Sequence, residues 1–248
     1  MAVSLSPIEF HLPTVSSTND YAQELLETYP YVFVTALHQT AGRGRKGRVW
    51  HGDAGMNAYV SIGQVHQQGV ITEELASYMP RASLAMIETL RQFAPDHTFR
   101  IKYPNDVQVL VNESWSKIGG AIVEHQWQGN KCLSTVVGMG VNIQQTEFPE
   151  TINQDCTSLS LLGYHTDVTE FIQALKRSVS DIRTLPWPDV HRKWVHELDI
   201  LGKTIAISGS TDSWIVTKIL DDGRLTARND STNHERTISD GDSIRYGD

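Results

Sequence analysis

The sequence has 248 residues and a formal net charge of −8, with 40% hydrophobic and 20% charged residues. This length can bury one large core, or one large and one small core. The acidic balance disfavours a dedicated nucleic-acid-binding protein, whose surface is usually basic. Two cysteines, Cys132 and Cys156, do not make a disulfide framework. No apolar run approaches the roughly 18 residues that cross a membrane, so we expect a cytoplasmic protein without a membrane or nucleic-acid partner.

The first quarter of the chain is predicted to contain a helix between extended segments. Residues 1–13 form an extended lead-in, and residues 16–20 offer N-cap side chains for a helix that ends near Pro30. The segments 31–37 and 56–62 are rich in β-branched and aromatic residues and are predicted strands.

A long helix and several strands are predicted next. Apolar residues recur at helical spacing over 74–93, where Pro80 either kinks the helix or opens it at its first position. Four later runs are predicted strands, the second and third of them joined as a hairpin: 99–102, 107–111, 117–126 and 132–140.

The residue pattern changes in the C-terminal part of the chain, after two further predicted helices. An amphipathic helix is predicted over 168–182, followed by a short helix to about Leu198. Beyond it, short β-rich runs separated by Gly, Asp and Asn turns predict a small antiparallel barrel, at 203–208, 213–220, 223–228, 235–239 and 242–246. We therefore predict two domains, residues 1–199 and 200–248, with the smaller one docked on the larger.

One stretch concentrates positive charge on this acidic chain. The glycine-arginine loop, residues 42–48, holds four cationic side chains and three glycines and is followed by Trp50. Glycines can take positive φ, which lets successive N–H groups converge on an anion. The loop therefore predicts an anion site, although basic loops also bind RNA non-specifically and surface arginines are often only solvated.

Three other segments place polar residues at strand ends or turns. Taken singly, each segment also has a purely structural interpretation, as a turn, a solvated lysine at a strand edge or a bulge. Asp and Asn in a turn also suit Mg²⁺, which is held by one or two carboxylates together with phosphate oxygens. The segments are Lys102-Tyr103-Pro104-Asn105-Asp106, Lys117-Ile118-Gly119-Gly120-Ala121 and Gly138-Met139-Gly140-Val141-Asn142-Ile143.

In order and spacing, these segments, together with Ser17-Thr18-Asn19 and the stretch from Gln39 to Trp50, resemble the biotin–protein ligases. The resemblance runs from about residue 14 to the C-terminus. It departs from the family pattern at Tyr103, where the family usually has tryptophan. The catalytic part begins within about fifteen residues of Met1, so the resemblance implies the ligase-only form without an N-terminal helix-turn-helix domain.

The resemblance implies an α+β fold, with a mixed sheet of the class II aminoacyl-tRNA synthetase and biotin ligase type and a small SH3-like β-barrel. It implies that biotin and ATP, with Mg²⁺, form biotinyl-5'-AMP, and that a lysine of a biotin carboxyl carrier protein then takes the biotin. Neither step needs a protein nucleophile, so the enzyme supplies charge and positioning. A homodimer is possible, and no residue decides it.

The resemblance also implies roles for individual residues. The predicted catalytic residues are Lys117, Arg45, Arg48 and Asp106. The predicted biotin-binding residues are Ser17, Thr18, Gln39, Gly42, Arg43, Tyr59, Lys117, Gly120 and Gly138. The predicted ATP- or adenylate-binding residues are Arg43, Arg45, Arg48, Trp50, Asn105 and Asn142. Asp106 serves either the metal or the incoming lysine. Two alternatives without a binding role stay open: Trp50 is a tryptophan of the apolar core, and Tyr59 is a tyrosine that only packs against its neighbours.

Two other functions stay open at this point. A lipoate–protein ligase shares the fold and the two-step chemistry, although its glycine-rich arginine motif differs from residues 42–48. A non-catalytic RNA-binding or adaptor protein would use the basic loop and the small barrel as binding surfaces. The polar residues at distant strand ends, Asn105, Lys117 and Asn142, argue against that second alternative.

Overall fold

The structure is a computed structural model that describes residues 6–67, 70, 72–152, 154–239, 241 and 244–246. Within these residues it contains twelve strands and four α-helices. In chain order they are β1 (Ile8–Leu12), α1 (Thr18–Leu25), β2 (Tyr31–Ala36), β3 (Asn57–Val65), α2 (Thr72–Phe93), β4 (Phe99–Lys102), β5 (Asp106–Val111), β6 (Ser114–Gln128), β7 (Lys131–Asn142), α3 (Val168–Thr184), α4 (Trp187–Leu198), β8 (Thr204–Ile207), β9 (Ser213–Ile219), β10 (Leu225–Asn229), β11 (Glu235–Ile238) and β12 (Ile244–Tyr246).

Seven strands form one large mixed sheet in the order β1-β2-β3-β7-β6-β5-β4. The β1 and β2 strands pair in parallel, and each other neighbouring pair is antiparallel. The α+β class with a mixed sheet is thus confirmed. Part of the predicted lead-in is β1, the edge strand of this sheet, and residues 1–5 lie outside the described residues.

The two faces of the large sheet pack against different helices. In β2, Phe33 belongs to the main apolar core with residues of α2 and α3, whereas its neighbours Val32 and Val34 pack with Ala22 of α1 and with Leu26, which caps that helix. Successive side chains of a strand point to opposite faces, so this alternation assigns α2 and α3 to one face and α1 to the other. The α1 face is only partly covered by its short helix, which leaves room for a site.

The predicted elements agree with those observed, with one refinement. Pro80 lies inside α2, which begins at Thr72, so the proline does not open the helix at its first position. The hairpin between β5 and β6 turns at Asn112 and Glu113, whose φ values are 47° and 68°. Positive φ at both turn residues matches the right-handed twist of the two strands.

The C-terminal strands form a separate five-stranded antiparallel sheet in the order β11-β10-β9-β8-β12. Of the predicted run 242–246, residues 242 and 243 lie outside the described residues. This sheet contacts the turn after β4 through a hydrogen bond, in which the N–H of Tyr103 donates to the hydroxyl of Tyr246 at 2.8 Å. The hydroxyl of Tyr103 in turn donates to the carbonyl of Gly223 at 3.0 Å. Among the described helices, none has the length and apolar character that a membrane span requires.

Candidate active site

The candidate site is built on one row of residues that crosses five strands of the large sheet. Directly paired positions link Tyr59 of β3 to Gly140 of β7, Gly140 to Gly120 of β6, Gly120 to Asp106 of β5, and Asp106 to Lys102 of β4. Directly paired residues of neighbouring strands project from the same face. The row therefore carries a phenol at one end, a carboxylate and an ammonium at the other, and two glycines between them.

The glycines make a depression in this face because they carry no side chain. A Cβ atom at Gly140 would lie 2.8 Å from two carbons of the Trp50 indole ring. A Cβ at Gly120 would lie 3.1 Å from Oδ1 of Asp106, and one at Gly138 only 2.3 Å from Oδ1 of Asn19. These positions exclude any larger residue unless the neighbouring side chain moves.

A cavity of about 850 Å³ opens over the depression and is lined by nearly all the predicted site residues. The predicted residues that line it are Ser17, Thr18, Gln39, Arg43, Arg45, Arg48, Trp50, Tyr59, Asn105, Asp106, Lys117, Gly120, Gly138 and Asn142. Gly42 does not line the cavity, because it packs behind the wall, where an added Cβ would lie 2.9 Å from the carbonyl oxygen of Trp50.

Four charged and polar side chains form a chain at one end of the cavity. The ammonium of Lys117 lies 2.8 Å from Oδ1 of Asp106, and the same oxygen accepts from Nδ2 of Asn105 at 3.1 Å. Oδ1 of Asn105 accepts from the guanidinium of Arg45 at 2.9 Å. The Asn105 amide also donates to the carbonyl of Ala121 at 2.9 Å, which fixes its orientation. This chain joins the glycine-arginine loop to β5 and β6.

A strand-like segment after β7 holds Lys117 and Asn142 in place. The N–H of Lys117 donates to the carbonyl of Asp155, and the carbonyl of Lys117 accepts from the N–H of Thr157, at 2.8 and 2.9 Å. The side-chain amide of Asn142 donates to the carbonyl of Thr157 at 3.0 Å. Both predicted residues are therefore positioned by one segment.

The opposite end of the cavity is a network of uncharged polar groups. Gln39 Oε1 accepts from the N–H and from the hydroxyl of Thr18, at 2.8 and 3.0 Å. The buried hydroxyl of Ser61 lies 2.7 Å from Oγ1 of Thr18 and 2.6 Å from Oδ1 of Asn19. Ser17 begins α1 as its N-cap and accepts from the N–H of Asp20. Such fixed donors and acceptors suit a neutral polar ligand group.

The glycine-arginine loop folds back on itself as a short hairpin-like turn. Arg43 pairs with Val49 in an isolated antiparallel bridge, and the N–H of Gly44 donates to the carbonyl of Arg48 at 2.7 Å. Positive φ occurs at Gly47, at 72°, and also at Lys46, at 55°, whereas Gly44 has a φ of −105°. The expectation that the glycines supply positive φ therefore holds for Gly47 and is wrong for Gly42 and Gly44.

The Trp50 side chain lies over the sheet. Its ring packs on Gly140, and the ammonium of Lys117 lies 5.3 Å from the centre of the ring. The indole nitrogen is buried and has no hydrogen-bond partner among the described residues. Trp50 is thus part of the cavity wall and does not belong to the apolar core.

Burial shifts the ionisation of three groups that line the cavity. The pKa of Lys102 is lowered chiefly by burial, an effect that nearby Asp106 opposes. Burial raises the pKa of Tyr59, so its hydroxyl is neutral and can donate or accept. The pKa of the Cys156 thiol is likewise raised chiefly by burial, and the charge of Lys117 opposes the shift. Burial thus keeps the phenol of Tyr59 and the thiol of Cys156 neutral, and it works against the charge of Lys102.

Sequence reasoning missed several residues that line the cavity. Phe148, Ile152 and Cys156 come from the segment after β7, and Ile244 and Arg245 come from the C-terminal sheet. No local pattern marks them, because they reach the cavity only through the packing of distant segments. Lys102 could have been predicted, since it begins the Lys102–Asp106 segment, in which Asn105 and Asp106 are predicted site residues.

Known proteins resemble this chain in sequence and in fold. The family profile described as the Biotin/lipoate A/B protein ligase family matches residues 12–142. The bifunctional ligase/repressor BirA of Bacillus subtilis is 31% identical over 150 residues, which cover 59% of this chain and 44% of that relative. The biotin–[acetyl-CoA-carboxylase] ligase of Paracoccus denitrificans is 28% identical over 207 residues, or 79% of this chain and 83% of that relative.

A solved structure shows the same fold. Biotin protein ligase from Aquifex aeolicus, in complex with biotin and ATP, superposes with a TM-score of 0.73 at 22% identity, covering 97% of this chain and 99% of that one. The chain spans less than half the length of the bifunctional relatives that it matches. Because the family profile matches more than half of the residues, the chain belongs to the biotin/lipoate A/B protein ligase family.

Proposed function

We propose that the protein is an ATP-dependent biotin–protein ligase. The observation that carries the proposal is the division of one cavity into a neutral polar end, around Thr18 and Gln39, and a cationic end, around Lys117 and Arg45. Biotin has the same division, because its ureido ring is neutral and its tail ends in a carboxylate. ATP adds the phosphates that cations bind.

In the first proposed step, a carboxylate oxygen of biotin attacks the α-phosphorus of ATP, and pyrophosphate leaves with the electrons of the broken P–O bond. Lys117 bridges the carboxylate and the α-phosphate and reduces the repulsion between the two anions. Arg45 and Arg48 hold phosphate oxygens, for which the planar, permanently charged guanidinium is suited. Arg43 contacts the acyl phosphate that forms.

In the second proposed step, the amine of a carrier lysine attacks the acyl carbon of biotinyl-5'-AMP. The C–O bond to the phosphate breaks, AMP leaves, and the amine loses its proton as the amide forms. Asp106 lies at the cationic end of the cavity, where it either orients this amine or takes its proton. The loop 42–48 covers the anhydride and excludes water from it.

ATP enters as its magnesium complex in this proposal. Magnesium needs only one or two protein carboxylates when phosphate oxygens and water complete its shell. The carboxylate of Asp106 and the amide oxygen of Asn105 are oxygen donors of the required kind at the cationic end. They would hold the ion that ATP brings, and no clustered set of acidic ligands is needed.

The remaining contacts follow the two ends of the cavity. Ser17, Thr18 and Gln39 bind the ureido group, while Tyr59, Gly120 and Gly138 line the path of the tail, and Gly42 supports the loop from behind. Trp50, Asn105 and Asn142 contact the adenylate. For Trp50 this requires the indole to make room for the nucleotide or to stack on it.

We also propose a protein partner, a cellular compartment and a domain organisation for the enzyme. The partner is a biotin carboxyl carrier protein, such as that of acetyl-CoA carboxylase, and the reaction takes place in the cytoplasm. The C-terminal sheet closes as an SH3-like barrel in a domain of residues 200–248, beside a catalytic domain of residues 1–199. A homodimer is compatible with the fold, and no nucleic-acid or membrane partner is needed.

Exchange of labelled pyrophosphate into ATP tests the proposal directly. We expect exchange that depends on biotin and is not supported by lipoate. Exchange with lipoate alone would assign the chain to lipoate ligation, the other activity in the family's name. Absence of exchange with either acid would reject adenylation and would favour a non-catalytic RNA-binding or adaptor role.

A further inference from the structure

A second cavity, of about 440 Å³, lies on the other face of the large sheet. It is a wedge between strands β2, β3 and β7 on one side and helix α2 with the end of α3 on the other. Ile62 of β3 and Val137 of β7 pair directly and line it, whereas the adjacent pair, Ser61 and Gly138, belongs to the face of the candidate active site. Successive residues of a strand point to opposite faces, so the same two strands form one wall of each cavity.

The lining of the second cavity is mainly apolar and carries a few polar groups. The apolar side chains come from both the sheet and α3, and include Met139 and Val179. Among the described residues, no hydrogen-bond partner is found for the hydroxyl of Tyr78 or for the side-chain amide of Gln64. Burial raises the pKa of Tyr78, so its hydroxyl is neutral at neutral pH. Volume and composition are those of a small-molecule site.

One guanidinium of the lining, that of Arg81, is half-buried and is held by uncharged oxygens. Its Nη1 and Nη2 donate to the carbonyls of Ile182 and Leu185 at the end of α3, at 2.5 and 3.0 Å, and its Nε donates to the Ser77 hydroxyl at 3.2 Å. These bonds fix the group, but none of them neutralises its charge. Burial lowers the pKa of Arg81, and the nearby charge of Arg183 adds to that shift. An anion beside Arg81 would offset both effects.

The second guanidinium, that of Arg183, lies over an aromatic ring. Its central carbon is 4.5 Å from the centre of the Tyr31 ring, and both residues line the cavity. A guanidinium stacked in this way keeps the N–H donors at its edge available for a carboxylate. Among the described residues, neither Arg81 nor Arg183 lies within ion-pair distance of a carboxylate. With Glu74 also in the lining, the second cavity carries one net positive charge on an acidic protein.

We propose that the second cavity binds a small monocarboxylate with an apolar body. Its carboxylate lies beside the guanidinium groups of Arg81 and Arg183, and its body packs on the apolar side chains of β3, β7 and α3. One net positive charge matches a single carboxylate, and Glu74 disfavours a ligand with a second negative charge. The site is outside the candidate active site, so the proposal does not rest on biotin ligation.

Three probes with the same apolar body test the proposed charge recognition. They are 4-phenylbutyrate, 4-phenylbutanol and 4-phenylbutylamine, titrated calorimetrically into the full chain without biotin or ATP. We expect a Kd of about 1 mM or lower for the carboxylate, and binding at least about tenfold weaker for the alcohol and the amine. Equal binding of carboxylate and alcohol would overturn the recognition of an anion. No binding of the carboxylate at about 10 mM would overturn the site itself.

Substitutions in α3 locate the bound carboxylate. Arg183→Gln removes a cation at the rim and should raise the Kd about three- to tenfold. Arg177→Gln is the matched control, because it removes an exposed arginine of the same helix that does not line the second cavity. Val179→Phe fills part of the cavity and should raise the Kd more than about tenfold. Urea denaturation without the probe verifies that each variant is folded.

A variant of the candidate active site separates the two cavities. A carboxylate could also bind at the cationic end around Lys117, so the titration is repeated with Lys117→Ala. An unchanged Kd in this variant supports binding in the second cavity. A loss of binding in Lys117→Ala would overturn the proposal, and so would a Kd for Arg183→Gln equal to that for Arg177→Gln. Pyrophosphate exchange does not enter these measurements, so failure of the proposed ligase function would leave their outcome intact.

Discussion

The ammonium nitrogen of Lys117 lies 2.8 Å from Oδ1 of Asp106, and each of the two side chains is 14% exposed. The pair satisfies two charges that would otherwise be buried singly. An ammonium has three donors, so Lys117 can keep this contact and still donate to a ligand anion. Asp106 therefore aims the lysine into the cavity.

Replacing Lys117 by alanine should abolish most of the adenylation activity. The change removes the cation that we place between two reacting anions and leaves Asp106 without the ammonium that it pairs with. We expect kcat/KM for biotin-dependent pyrophosphate exchange to fall on the order of 10²–10³-fold. Lys193→Ala, which removes an exposed ammonium paired with Glu88, is the control and should keep the parent activity. Near-parent exchange by Lys117→Ala would reject the role given to this lysine.

Replacing Gly138 by alanine should destabilise the protein. The added Cβ would stand 2.3 Å from Oδ1 of Asn19 and 3.0 Å from a methyl carbon of Ile122. Asn19 is buried and hydrogen-bonded, so it cannot move without losing contacts, and we expect a cost of about 1–3 kcal/mol in the free energy of unfolding. Urea denaturation measures this cost.

Gly44→Ala is the matched control for that substitution. An added Cβ at Gly44 would meet its nearest neighbour at 3.5 Å, an ordinary contact. Its φ of −105° is also accessible to alanine. Equal unfolding free energies for the Gly138 and Gly44 variants would show that the close approach of Asn19 to β7 is not needed for stability.

Replacing Tyr246 by phenylalanine should weaken both stability and adenylation. Burial raises the pKa of Tyr246 to about 12, so its hydroxyl stays neutral and accepts from the N–H of Tyr103 at neutral pH. Without it, a buried donor loses its partner, at a cost of about 1–3 kcal/mol. The turn that carries Asn105 and Asp106 follows directly, so the exchange rate should fall several-fold.

Tyr164→Phe serves as the control for the Tyr246 substitution. It removes a partly buried hydroxyl that lies 3.2 Å from His97, away from the cavity. Thermal unfolding and pyrophosphate exchange should be measured on both variants. If both variants lose the same fraction of exchange activity, the hydrogen bond between Tyr246 of the C-terminal sheet and Tyr103 of the turn does not contribute to activity.

Acidification from pH 7 to pH 5 should destabilise the protein through two histidines. The Thr135 hydroxyl lies 2.8 Å from Nε2 of His66 and 2.9 Å from Nδ1 of His125. Burial lowers the pKa of both rings below 6.5, with Glu74 opposing the shift of His66 and the charge of His66 adding to that of His125. Below the unfolded-state pKa the unfolded chain therefore binds more protons than the folded one, and stability is lost as the pH falls.

Urea denaturation of variants at pH 7 and pH 5 checks this expectation. His125→Gln should lose less unfolding free energy between the two pH values than the parent protein does. His165→Gln replaces a surface histidine and should behave like the parent. An identical pH dependence in all three proteins would contradict the contribution of His125.

Much of the fold could be predicted from local pattern. Strand β2 was recognised from its β-branched and aromatic residues, and α3 from its amphipathic spacing, because both signals depend only on neighbouring residues. The pairing of β1 with β2 could not be predicted, because the residues of a parallel edge strand do not indicate which strand it pairs with. That pairing is decided by contacts with residues far away in the sequence. The conformation of Gly44 was mispredicted for a similar reason, since the pairing of Arg43 with Val49 shapes the loop.

The sequence alone determined which chemical groups this protein brings to its site and on which local elements they stand. The short motifs around Lys117, Asn105 and the glycine-arginine loop were sufficient for that, because residue type and local turn chemistry are properties of the chain itself. Tertiary structure decided that Tyr59, Gly140, Gly120, Asp106 and Lys102 share one row of the sheet, and that Arg245 joins the same cavity. Strand register and sheet docking depend on contacts between residues far apart in sequence, and a local pattern is equally compatible with several registers.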